Sequence, residues 1–125
     1  MTVVWVAVGG ALGALGRYGL GGWVQRASGF AFPWGTMAVN LLGSLLIGFL
    51  MVWLRASGAS TNLRVFLIAG VLGGFTTFSA FGWETVSLLQ QGTWGRAALY
   101  ALGSLVLGVL AVLLGIALAD ALLAD

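Results

Sequence analysis

The chain has 125 residues, 61% hydrophobic and 6% charged, with a mean hydropathy of +1.10 and a formal charge of +2. Soluble domains carry about 25% charged residues, so these charges are too few to solvate a globular surface and the bilayer is the expected solvent. With no Cys, His or Lys, disulfides, zinc sites and histidine acid–base catalysis are excluded, and five scattered arginines point to no nucleic-acid partner.

Residues 1–16, 27–54, 65–83 and 97–119 contain no charged side chain. A membrane span needs about 20 mostly apolar residues. The predicted spans are therefore 3–23, 33–54, 64–89 and 96–119, the first running past Arg17 and the third past Glu84. No charged signal-peptide start precedes them, so Met1 onward reads as mature protein. Residues 1–125 form a single transmembrane four-helix domain, because lipid demands internally bonded backbones. Trp5, Trp23, Trp34, Trp53, Trp83 and Trp94 lie mostly near span ends, where interfacial aromatics belong. The 21 glycines, including Gly9 and Gly13 on span one, suit close helix–helix approach in a membrane.

The first connection is Arg26-Ala27-Ser28-Gly29, with Pro33 suited to the first turn of the next helix. Span two carries Thr36, Asn40 and Ser44 at i, i+4 and i+8, on one face. The Asn40 amide has donors and an acceptor that hydrocarbon cannot satisfy. Two readings stand open: bonding between packed helices, or the lining of a pore.

A polar turn, Ser57 to Asn62, leads into span three. There Gly73-Gly74-Phe75-Thr76-Thr77-Phe78-Ser79-Ala80-Phe81 sets glycines and β-branched hydroxyls in mid-span. Helix propensity is poor at that point, and a broken third helix would free backbone groups that only a cavity or protein can satisfy. The alternative is a continuous helix whose glycines pack tightly. Phe75, Phe78 and Phe81 fall at every third position, which is ordinary for packing. Ring edges also carry partial positive charge and can meet a small anion without trapping it.

After Gln90-Gln91-Gly92-Thr93, span four carries Tyr100 and Ser104 at i and i+4. Tyr100 alone reads as an interfacial aromatic, and Ser104 as a residue that bonds back to its own helix. Two arginines fall on each side of the four-span path, with Arg17 near the end of span one. The positive-inside rule then gives no preferred orientation. Dual insertion leads naturally to an antiparallel homodimer, so the expected fold class is an all-α integral membrane protein forming a dual-topology dimer.

Gly9-Gly10-x-x-Gly13-Ala14-x-x-Arg17-Tyr18, Gly35-Thr36-x-x-Val39-Asn40-x-x-Gly43-Ser44 and the Gly73–Phe81 segment together resemble the Fluc (CrcB) fluoride channels, over nearly the whole chain. The resemblance implies an antiparallel, dual-topology homodimer in the plasma membrane of a bacterium or archaeon. Two pores would pass fluoride out of the cell passively, after hydrogen fluoride enters from acid surroundings. It implies that Asn40 donates to fluoride, that Phe78 and Phe81 turn ring edges to it, and that Tyr100 and Ser104 supply polar positions. Thr36, Ser44, Thr77 and Ser79 complete the expected pore lining. The carbonyls of Gly73 and Thr76 from both copies would hold a structural sodium ion (Na+) at the dimer interface, with Arg17 and Glu84 at the vestibule. Ala80 and Gly82 depart from the family pattern, where hydroxyl residues are frequent, and shorten the polar track. A small multidrug-type antiporter shares the size but needs a carboxylate in mid-bundle. Glu84, near the end of span three, fits that poorly.

Overall fold

A computed structural model describes residues 1–124. Four helices among them are long and apolar enough to cross a membrane: Thr2–Ser28, Trp34–Ala56, Thr61–Gln90 and Trp94–Leu123. The first and second are α1 and α2. The third is composite, made of α3 (Thr61–Arg64), a π-helical segment (Val65–Leu72), α4 (Gly73–Phe75) and α5 (Phe78–Gln90). The last is α6 (Trp94–Leu123). Loop lengths of a few residues force each helix to run antiparallel to the one before. Arg55 and Arg64 therefore lie on the side of both termini, and Arg26 and Arg96 on the other.

The connections are shorter than the sequence suggests. Arg26 to Ser28 belong to α1, which ends only at Gly29 with φ +85°, a conformation that favours glycine. In the second connection Thr61 and Asn62 are already helical, and the cap is Ser60, whose Oγ accepts from the Leu63 amide at 3.2 Å. Arg64 reaches back from α3 to the carbonyls of Leu54 and Ala59, both at 3.1 Å. It thereby ties the start of the third span to the end of α2 and to the turn that follows it.

Helix α1 packs on the π-helical segment and α4, while α2 packs chiefly on α6. The first contact depends on glycine. A Cβ on Gly9 would stand 2.5 Å from the Phe66 carbonyl, and one on Gly74 2.5 Å from that of Gly10, while one on Gly13 would collide with Val71 O. Small residues here let backbones touch, which is how helices gain packing where lipid offers no hydrophobic drive. A second cluster joins Phe32, Met37, Leu88, Ala97 and Tyr100, with Phe81 against it. Along α6, Leu99, Leu102, Leu105, Val109, Leu113 and many neighbours remain exposed. Such a surface requires lipid or another protein.

Candidate functional site

The helical ladder of the third span stops at Thr76 (φ −88°, ψ 155°) and Thr77 (φ −147°, ψ 116°), both extended. Asn40, in the second turn of α2, meets this stretch as a strand partner would. Its Nδ2 donates to the Thr77 carbonyl at 3.0 Å, and its Oδ1 accepts from the Thr77 amide at 2.8 Å. The Thr77 Oγ1 accepts from the Ala80 amide at 3.2 Å and so caps α5. Thr76 turns its hydroxyl back to Leu72 O at 3.0 Å. The amides of Thr77 and Ala80 are the donors that an unbroken helix would give to the carbonyls of Gly73 and Thr76. With those amides engaged elsewhere, the two carbonyls lose their helical partners.

An amide nitrogen has two hydrogens, so Asn40 keeps one beyond its bond to Thr77. Two grooves meet at this residue. One, of about 360 Å³, is lined by Asn40, Ser44, Gly73, Thr76, Thr77 and Phe78 among others. The other, of about 610 Å³, runs between Asn40, Ser44, Phe78, Phe81, Ser104 and Leu105 and on along α6. The Phe78 ring stands between them, 84% exposed, with its centroid 5.7 Å from that of Phe81. Ser104 Oγ is buried at the wall of the larger groove with no protein partner.

Nearer the connection between α1 and α2, the half-buried Glu84 gathers two hydroxyls from other helices. Thr36 Oγ1 donates to Oε1 and Tyr100 OH to Oε2, both at 2.7 Å. Tyr100 is not the interfacial aromatic that its position on span four suggests. It is fully buried, edge-on to Phe32 at 5.5 Å and 5.3 Å from Phe81. Each hydroxyl has a single proton, and here both protons point at the carboxyl group. Arg17 lines a third cavity, of about 310 Å³, together with Thr36, Thr77, Ala80 and Glu84. Ser79 lies exposed on the first turn of α5, its Oγ 3.4 Å from Thr77 Oγ1.

Of the residues singled out in the sequence, the structure brings Asn40, Ser44, Phe78, Phe81 and Ser104 to one groove. It brings Thr36, Glu84 and Tyr100 to one hydrogen-bonded cluster, with Gly73 and Thr76 at the interruption. Gln25 escaped sequence reading. Its Nε2 donates to the carbonyls of Gly29 (2.5 Å) and Phe32 (2.9 Å), and its Oε1 accepts from the Gly35 amide at 3.0 Å. It straps the first connection over the cluster and sets Phe32 against Tyr100. No local pattern marks a glutamine for that task.

Among the described residues no three His, Cys, Asp or Glu side chains converge in a way that could hold a metal. Any cation held here would depend on neutral oxygens, such as the released carbonyls.

Residues 4–116 match the family described as CrcB-like protein, Camphor Resistance (CrcB). The chain is 58% identical over 118 residues to the fluoride-specific ion channel FluC of Thermus thermophilus, covering 94% of this chain and 92% of that one. It is 50% identical over 119 residues to the protein of the same name from Agrobacterium fabrum, covering 94% and 95%. With that from Chloroflexus aurantiacus it shares 45% over 118 residues, 94% of each.

Proposed function

The chain belongs to the CrcB-like family, and from that premise we propose that it is a passive, fluoride-selective channel, working as an antiparallel, dual-topology homodimer with two pores. It is a multi-pass membrane protein and not an enzyme. The observation that carries this reading is the pair of unengaged donors at the larger groove. Ser104 Oγ is buried there without a partner, and one Asn40 hydrogen is left over from the Thr77 bond. The wall around them is apolar and holds no charged side chain.

Fluoride is small and tightly hydrated, so a pore must replace its water with positioned hydrogens. Asn40 and Ser104 supply such hydrogens, while the edges of Phe78 and Phe81 carry only partial positive charge. An anion is attracted by that arrangement and still able to leave, as conduction requires. Chloride is larger and suits a narrow, fixed set of donors poorly. Thr36 and Tyr100 act differently. Their protons are engaged with Glu84, so they donate to a passing ion only by releasing the carboxyl group. Ser44 and Thr77 extend the polar lining on either side of Asn40, and Ser79 lies at its edge.

The grooves are open on one side, and a second copy closes them. The even distribution of arginine supports opposed orientations of the two. In such a dimer the Gly73 and Thr76 carbonyls of both copies would hold a sodium ion, a hard cation suited to neutral oxygens and to unwound backbone. Bound there, it would neutralise converging carbonyl dipoles and fasten the copies together.

Fluoride efflux from liposomes containing the purified protein tests the reading, with a fluoride electrode and valinomycin to carry compensating potassium. Rapid fluoride release without chloride release supports it. Intact dimers that release no fluoride would overturn it.

A further inference from the structure

We propose that Arg26 is an anion-capture residue at the mouth of the pathway, held there by the room that Gly22 leaves on α1. Because α1 continues through Ser28, Arg26 stands on the helix and not in a loop, one turn beyond Gly22. Helical side chains lean toward the N-terminus, over the residue four places earlier. A Cβ on Gly22 would have Arg26 Nη1 at 3.0 Å, Cζ at 3.8 Å and Nη2 at 3.9 Å as its three nearest neighbours. The guanidinium therefore lies in space that any other residue at position 22 would contest.

This placement brings the head group to the cavity of about 310 Å³ already lined by Arg17, Thr36, Thr77 and Glu84. The charged groups there are Arg17 and Arg26 from α1 and Glu84 from α5, while α2 contributes none. Both Glu84 oxygens accept from the hydroxyls of Thr36 and Tyr100. Two cations against one carboxyl group leave the mouth positive, and low-dielectric walls focus such a field and concentrate anions. Thr77 lines this cavity and also the 360 Å³ groove beside Asn40. An anion held at the mouth is thus one residue from the interruption in the third span. The ligand class is a small inorganic anion. The site raises its local concentration without choosing among halides, which leaves selection to the donors further in.

The inference rests on the channel reading, and the test separates the two. Initial fluoride efflux is measured from liposomes of neutral phosphatidylcholine, at about 10 mM and about 1 M ionic strength, where screening lengths are about 30 Å and 3 Å. Arg26→Gln should slow efflux about threefold at low ionic strength and match the wild type at high. Gly22→Val, which keeps the charge but takes its place, should show the same loss. Arg96→Gln removes an equal charge from the same side of the membrane, outside the cavity, and should behave as wild type. Wild-type rates for Arg26→Gln at low salt would overturn the proposal, as would a loss that persists at high salt or an equal loss for Arg96→Gln. Absence of flux in the wild type would instead remove the channel reading itself.

Discussion

At Asn40 one amide has two tasks, closing the backbone of Thr77 and offering a hydrogen to the groove. Asn40→Asp keeps the acceptor for the Thr77 amide but sets a carboxylate oxygen against the Thr77 carbonyl and against any anion. Efflux should fall to the background of protein-free liposomes. Thermal unfolding in detergent should show a loss of about 1–3 kcal/mol, the range for a buried acceptor left unsatisfied. Retained flux would return Asn40 to a purely structural role. Phe81 separates packing from conduction in the opposite way, since Phe81→Ile keeps an apolar side chain against Tyr100 and removes the ring edge. Flux should drop while the protein elutes unchanged from a sizing column. Unaltered flux would make Phe81 ordinary core. Tyr100→Phe removes the hydroxyl from Glu84 and retains the buried ring, so it should cost about 1–2 kcal/mol, read as a lower unfolding midpoint.

Among the elements, the contact of α1 with the third span is the most sensitive to volume. Gly13→Val would drive a side chain into Val71 O and toward the Phe75 amide, only 2.9 Å from a Cβ at that position. Because backbone cannot step aside as a side chain can, the cost should exceed the usual 1–3 kcal/mol of overpacking, and little monodisperse protein should be recovered. Gly10→Ala, where a Cβ meets nothing within 4 Å, should be recovered at the wild-type level. Equal recovery of both variants would mean that the glycine contact does not govern assembly. What could be read at this scale followed local chemistry. The extended residues Thr76 and Thr77 fall where glycine and β-branched residues made helix a poor choice, and Thr36, Asn40 and Ser44 share a face because their spacing dictates it. Contacts without a local signature stayed hidden. Glu84 meets Thr36 across 48 positions and Asn40 meets Thr77 across 37, and neither pairing leaves a mark in either segment. The π-helical course of Val65–Leu72 was illegible for the same reason, since its residues are a plain apolar run. Tyr100 was misread because amphipathic rings usually lie at the membrane surface, whereas here a carboxyl group from another helix satisfies its hydroxyl.

For the whole molecule, orientation in the membrane is a question of a few charges. Arg55 and Arg64 lie on the side of the termini, and Arg26 and Arg96 on the other, so changing two of these charges together should decide which way the chain inserts. Arg26→Gln with Arg96→Gln leaves the positive charge on the terminal side and should hold that side in the cytoplasm. Arg55→Gln with Gln91→Lys shifts the balance the other way and spares Arg64, whose bonds to Leu54 and Ala59 belong to the fold. The natural chain has no cysteine, so a single Ala124→Cys change reports orientation through a membrane-impermeant maleimide added to cells. If the working unit is an antiparallel dimer, the chain with its termini in the cytoplasm should stay unlabelled and the other should label fully, and neither, expressed alone, should relieve fluoride sensitivity in cells that lack an exporter. Co-expression should restore resistance, because each chain then finds a partner of opposite orientation. The test belongs at high ionic strength, where the loss of Arg26 from the mouth is screened. Uniformly oriented chains that confer resistance alone would overturn the opposed arrangement, and the exposed grooves beside Asn40 would then need a parallel partner to close them.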